Sequence, residues 1–267
     1  MHPVEVTQGD SPIVLGLPHT GTFVPDDVAD RLNETGRALA DTDWHIHTLY
    51  DQLLPHATTV RATFHRYVVD ANRDPGGQKS LYPGQNTTSL VPLTDFDGKP
   101  IWHAPPDEDE VERRRAAFHA PYHDALSAQL ERVRHKHGVA ILYDCHSIRS
   151  EIPFLFDGTL PDFNIGTNLG ATCARQVEAS VINLCEAETG YTTTVNGRFK
   201  GGWTTRHYGR PETDVHAIQM ELAQSTYLQT EYTPWAMDTA KADRLRSVLA
   251  RLLSRLADLA PQLKGTP

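Results

Sequence analysis

"VAILYDCHS", residues 139–147, decides how the rest of the chain is read. From Val139 to Tyr143 no polar residue interrupts the run. A strand with one face in water alternates apolar and polar positions. A run without alternation fits a strand buried on both faces, at the centre of a sheet covered by helices. The flanks agree. Residues 107–137 read as helical, opening on "DEDE" and closing on "RHKH" before Gly138. That order suits the helix dipole and a glycine stop. Pro121 must kink this helix or begin a second one. Beyond the run, residues 170–189 read as a helix with Val177, Val181 and Leu184 inward, stopped by Gly190.

Working outward, residues 11–18 ("SPIVLGLP") read as a second buried strand, and Val60 and Tyr67–Val69 as the centres of one or two more. "YTTTV" and "VHAIQMEL" are β-rich, residues 43–54 read as helix, and 238–259 as a closing amphipathic helix. Strands alternating with helices predict an α/β fold, a three-layer sandwich with a mixed, mostly parallel central sheet. No internal linker is visible, so residues 1–267 are read as a single domain. Residues 75–106 are rich in Gly, Pro, Asn and Thr but hold Tyr82, Leu90, Val91 and Trp102, which predicts an ordered lid or wall.

The chain carries 25 Lys and Arg against 34 Asp and Glu, a net charge of −9. That balance argues against nucleic-acid binding and against docking on anionic lipid. No apolar run reaches the length of a membrane span. The opening "MHPVEVTQGD" has no basic or apolar leader region, so a cytoplasmic protein is expected. Cys145, Cys173 and Cys185 are odd in number and not spaced as CxxC, which reads as reduced thiols. An acidic protein can still take a small anionic substrate if its site has local arginines. Oligomeric state is open, a homo-oligomer included.

In an open α/β sheet, ligands sit beyond the carboxyl ends of the strands. The polar residues there are His19 after the first run, Asn72 and Arg73 after "YVVDA", Asp144 and His146 after "VAILY", and Glu221 in "VHAIQMEL". Asp144 and His146 share one side of their strand, and Cys145 takes the other as a small core residue. Catalytic zinc commonly has three protein ligands. His19 and His146 offer two, and Asp41 or Asp43 offers the third, although Asp and Thr before a helix are equally good N-caps. Arg73 has the planar fork that suits a carboxylate, against a plain salt bridge to Asp70 or Asp74. Glu221 shares a strand face with Gln219, and a carboxylate inside an apolar strand must be paired or used, here as general base and acid. In "NGRFKGGWTTRHYG", Gly201 and Gly202 permit close backbone approach beside Arg198 and Arg206. His119 and His123 in "HAPYH" stand at metal-ligand spacing, but Pro121 divides them and no HExxH occurs, so they read as helix-packing residues or as residues that support the site's ligands from outside.

With those residues in view, the chain resembles the N-formylglutamate amidohydrolase family. The resemblance rests on "LPHTG", "TDWHIHTLYD", "RYVVDANRDP", "PYHDAL", "DCHS", "NGRFKGGWTTRHYG" and "IQMEL", in that order along most of the chain. It implies a fold like that of zinc exopeptidases and a divalent ion, zinc, held by His19, Asp43 and His146. It implies Glu221 as general base and acid, and Asn72 with Arg73 as the grip on one substrate carboxylate. Arg66, Arg198 and Arg206 remain for a second carboxylate. The related exopeptidases take two ligands from HxxE, whereas "HTGT" has Thr22 where that Glu would stand. The implied reaction is hydrolysis of N-formyl-L-glutamate to formate and L-glutamate, closing a histidine-degradation route. Another metal-dependent N-acyl amino acid deacylase, a carboxypeptidase-like hydrolase and a non-catalytic amino-acid-binding homologue are the alternatives.

Overall fold

The computed structural model describes residues 2–76 and 88–265. Seven strands form one sheet: β1 (Val4–Thr7), β2 (Ile13–Leu17), β3 (Thr58–Ala62), β4 (Ala140–Ile148), β5 (Phe163–Gly166), β6 (Thr193–Val195) and β7 (Val215–Ala223). Their order across the sheet is β1-β3-β2-β4-β7-β5-β6. The β3–β2–β4–β7 centre and the β5–β6 pair run parallel, while β1 on β3 and β5 on β7 run antiparallel. This is the mixed, mostly parallel sheet expected.

β4 is the axis, with all nine of its residues buried. Ile141, Tyr143 and Cys145 face one core layer, together with Ile13 and Leu15 of β2 and the inner faces of α6 (Arg175–Ala187) and α8 (Thr239–Leu259). Ala140 and Leu142 face the opposite layer, with Val14 and the inner face of α5 (Ala120–His137). The alternation that hydropathy hides is thus present in space. Burying a Leu- or Ile-sized side chain stabilises by about 1.5–3 kcal/mol, so a strand inserted between two such layers is fixed in register.

Four short helices complete the site's surroundings: α1 (Asp26–Ala29), α2 (Glu34–Arg37), α3 (Ile46–Tyr50) and α7 (Trp203–Tyr208). The helical stretch expected at 43–54 is only the five residues of α3, because His45 enters it with a left-handed φ of 59° and no helix runs through that conformation. The stretch at 107–137 is α4 (Glu108–Arg114), capped by the Asp107 side chain accepting from Glu110 N–H, then one π turn (Arg115–His119), then α5 with Pro121 in its first turn. α5 stops at Gly138 as read, but α6 stops at Ala187, short of Gly190. Tyr67–Val69 is not a strand. It is a buried turn in which Tyr67 N–H donates to His65 Nδ1 and Val68 N–H to the His65 carbonyl. In the lid-or-wall segment, Tyr82 lies outside the described residues. Val91 and Trp102 are buried in the core, so residues 88–106 form a packed wall. No helix among the described residues is long and apolar enough to cross a membrane.

Candidate active site

The carboxyl ends of β2, β4 and β7 converge on one polar pocket. β4 and β7 are parallel and in register, with Asp144 beside Gln219 and His146 beside Glu221. All four side chains therefore leave the same face of the sheet. His19 follows the end of β2, and its carbonyl accepts the Asp43 N–H at 3.1 Å, which fixes the turn before α3 against the strand end.

His19, Asp43 and His146 offer ligand atoms that all lie within 4.8 Å of one another, and all three are buried. Asp43 Oδ2 stands 3.9 Å from His19 Nδ1 and 3.3 Å from His146 Nδ1, and accepts the Ser147 N–H at 3.1 Å. Each ring's far nitrogen meets a carboxylate. His19 Nε2 donates to Asp70 Oδ1 at 2.7 Å. His146 Nε2 lies 3.1 Å from Asp144 Oδ1, off the hydrogen-bond line, and 3.2 Å from Asn72 Nδ2. Carboxylates flank both His146 nitrogens, Asp43 at Nδ1 and Asp144 at Nε2. Both imidazoles thus turn Nδ1 inward, the arrangement by which outer carboxylates orient metal-binding histidines. Asp41, the alternative to Asp43, points elsewhere: its Oδ2 accepts the Tyr67 hydroxyl at 2.7 Å and the Phe96 N–H at 2.9 Å. Neither Asp41 nor Thr42 caps α3.

The electrostatics fit a bound cation. Burial pushes the His19 ring down, helped by Arg66, whose Nη2 contacts His19 Nδ1 and keeps that nitrogen an acceptor. Burial opposes charge on His146, yet Asp144, Asp43 and Glu221 together hold it well above the usual range. A field that retains a proton on a ring nitrogen retains a divalent ion when the proton leaves. Burial would raise Asp70 as well, but His19 and Arg66 hold it well below the usual carboxylate range. Glu221 behaves oppositely. Burial drives its carboxyl up to about 8, against the pull of His146 and with the push of Asp43. Two imidazoles and one carboxylate make a donor set that suits zinc, and the Arg66 guanidinium on His19 Nδ1 must move aside for an ion to bind there.

The pocket is a cavity of about 110 Å³. Arg66, Asn72, Arg73, Arg198, Gly201, Gly202 and Glu221 line it, with His19 and His146 at its floor. Arg66 is buried under Phe96, its guanidinium carbon 4.9 Å from the ring centre. Asn72 Oδ1 accepts the Thr204 N–H at 2.8 Å. Arg73 reaches Thr88 Oγ1 at 2.9 Å from Nη2, and its Nε lies 3.6 Å from Asp70. Arg198 donates to the Leu155 carbonyl at 3.1 Å and stands over Phe199. Arg206 donates to the Gly201 carbonyl at 2.8 Å. Gln219 Oε1 accepts the Gly202 N–H at 2.6 Å, which leaves its Nε2 to donate to Glu221 Oε2 at 3.0 Å. The sequence did not single out this bridging role, nor Asp70 and Asp144 as ring anchors, nor Lys200 and Phe96 on the wall. The even spacing of Gln219 and Glu221, and of Asp144 and His146, was the available signal.

A polar cavity at the carboxyl ends of a parallel-centred sheet, lined by a clustered donor set and a buried carboxyl, marks the candidate active site of an α/β protein. Comparison with known proteins narrows this. The model of the N-formylglutamate amidohydrolase family matches residues 11–228. The N-formylglutamate deformylase of Pseudomonas aeruginosa is 46% identical over 93% of this chain and 94% of its own. That of Pseudomonas putida is 45% identical over 93% of each chain. The crystal structure of N-formylglutamate amidohydrolase from Ralstonia eutropha superposes with a TM-score of 0.82 at 26% identity, covering 98% of this chain and 99% of that one. The chain belongs to the N-formylglutamate amidohydrolase family.

Proposed function

We propose that the protein hydrolyses N-formyl-L-glutamate to formate and L-glutamate with one divalent ion, zinc, held by His19, Asp43 and His146. The observation that supports the reading is the Glu221 carboxylate beside His146 on the same strand face, next to that donor set and in a cavity with arginines on its wall. The ion, when bound, would supply Lewis-acid polarisation of the formyl carbonyl. The remaining work belongs to the chain. Glu221 takes a proton from the attacking water, whose oxygen bonds to the formyl carbon. It returns that proton to the glutamate nitrogen as the C–N bond breaks. Gln219 holds Glu221 Oε2, so Oε1 is the oxygen free to carry the proton. Asn72 and Arg73 bind one substrate carboxylate. Arg198, which lines the cavity, and Arg206 are the candidates for the second. Arg66, in contact with His19, acts at the reacting end of the cavity.

The test is formate release over a panel of N-formyl and N-acetyl amino acids, with and without a chelator. N-formylglutamate should be the preferred substrate, and activity should vanish on metal removal and return with zinc. Full turnover after rigorous metal removal would overturn the metal role. Preference for an N-acetyl substrate would make the protein a different deacylase.

A further inference from the structure

The "HAPYH" pair lies outside the donor cluster, yet both rings are engaged by the same loop. His119 Nε2 donates to the Arg73 carbonyl at 3.0 Å, and His123 Nε2 to the Ala71 carbonyl at 2.7 Å. These two carbonyls stand on either side of Asn72. The Ala71 carbonyl can only accept, so Nε2 carries an N–H of His123, and the Tyr208 hydroxyl lies 3.0 Å from its Nδ1 and donates to the His123 carbonyl at 3.1 Å. The rings lie 4.4 Å apart, and His123 packs edge-on to Trp203 at 4.7 Å. Trp203 directly follows Gly202, so the pair touches both halves of the cavity wall.

The helix is built to present them. Going inward from α4, Glu110 and Arg114 are four apart, the next inward residue is His119, five further on, and His123 follows at four. The five-residue step is the π turn, in which Ala120 N–H donates to the Arg115 carbonyl. Pro121 lacks the N–H that would bond residue 117, so a wide turn costs little here. Without the extra residue, His119 would be rotated by about 100° off the inner face.

We infer that His119 and His123 are positioning residues that clamp the Ala71–Arg73 turn and so set the aim of Asn72 and Arg73 at the substrate carboxylate. The inference rests on the proposed role of those two residues. Buried carbonyls require a donor, and two donors on one rigid helix fix the turn at both ends. Burial holds both rings neutral, which suits single N–H donors.

The experiment compares His119→Ala, His119→Gln and Arg73→Lys by KM, kcat and the dissociation constant for L-glutamate. His119→Ala should raise KM and the glutamate Kd about tenfold with kcat changed less than about threefold. His119→Gln, which restores a donor near the Nε2 position, should recover most of the loss. His119→Leu keeps the packing but no donor and serves if the alanine variant does not fold. If Arg73→Lys raises KM while His119→Ala and His119→Leu leave it unchanged, the clamp is refuted and the carboxylate grip stands. If neither Arg73→Lys nor the His119 variants move KM or Kd, the grip itself falls and the clamp with it. Equal loss in Gln and Leu variants refutes the donor argument.

Discussion

Gly202→Ala isolates one contact. Gly202 has φ −71°, a value any residue adopts, so the backbone itself tolerates alanine. The obstacle is steric: a Cβ there would stand 2.2 Å from Asn72 Nδ2, 2.5 Å from Oδ1 and 2.6 Å from Cγ. Ordinary contact needs about 3.5 Å, so the Asn72 amide must retreat by roughly 1 Å. It cannot do so freely, because Oδ1 holds the Thr204 N–H at 2.8 Å and Nδ2 sits 3.2 Å from His146 Nε2. Overpacking of this kind costs about 1–3 kcal/mol, a fall of roughly 2–10 °C in Tm for a chain this size. A displacement of that order in a substrate-binding group costs about a hundredfold in kcat/KM. The assay is thermal unfolding with formate-release kinetics on Gly202→Ala, Asn72→Ala and the double variant. Asn72→Ala should rescue the Tm of Gly202→Ala, since the three atoms that collide are then absent, but not its activity. A wild-type Tm and kcat/KM in Gly202→Ala would refute the reasoning, as would additive Tm losses in the double variant. Gly201→Ala is the contrast: its nearest atom, Thr205 Cγ2, is 3.3 Å away, and its φ of +107° makes the penalty one of backbone strain.

Three further outcomes are expected. Asp70→Asn removes the charge behind His19 Nε2 and should weaken zinc affinity by about 10–100-fold, read by competition with a chromogenic chelator; unchanged affinity would remove Asp70 from the site's support. Glu221→Gln should lower kcat by about 10²–10⁴ with little change in KM, and near-normal kcat would reassign the proton carrier. His123 has its pKa lowered to about 3 by burial, from 6.5 when unfolded. Its folded value is depressed, so the unfolded chain binds the extra proton as pH falls below about 6.5, and stability present above that pH is progressively lost. Urea unfolding should show a loss of about 2 kcal/mol from this group between pH 7 and pH 5, and the same difference in His123→Gln would contradict that source.

The sheet was legible wherever burial and hydropathy coincide. Val139–Tyr143 reads as a central strand because both of its faces meet apolar layers. β4 nevertheless runs on to Ile148 through Asp144, His146 and Ser147, since its ladder to β7 continues after the apolar run ends. Hydropathy cannot see that. Tyr67–Val69 misled in the opposite sense: its side chains are fully buried, but in a turn. Asp41 and Asp43 are indistinguishable as residues before a helix. Only the third dimension gives Tyr67 to one and the two histidines to the other. The arginines were readable as a group, but not their order, because reach into the cavity depends on which loops face it. Arg66 lies among the donors, in contact with His19.

The strand order has a consequence for the chain as it is made. His19, Asp43 and His146 all precede β7, which pairs with β4 along nine residues and carries Glu221. On a growing chain the three donors would be synthesised while β4 still has one edge bare and the proton carrier is unmade. A zinc ion captured then would staple β2 to β4 before their non-local pairing has its last partner, a step that is otherwise slow for parallel strands. It would do so without hydrolysing anything. On the proposed zinc role, refolding with zinc present throughout should outpace refolding with zinc added at the end.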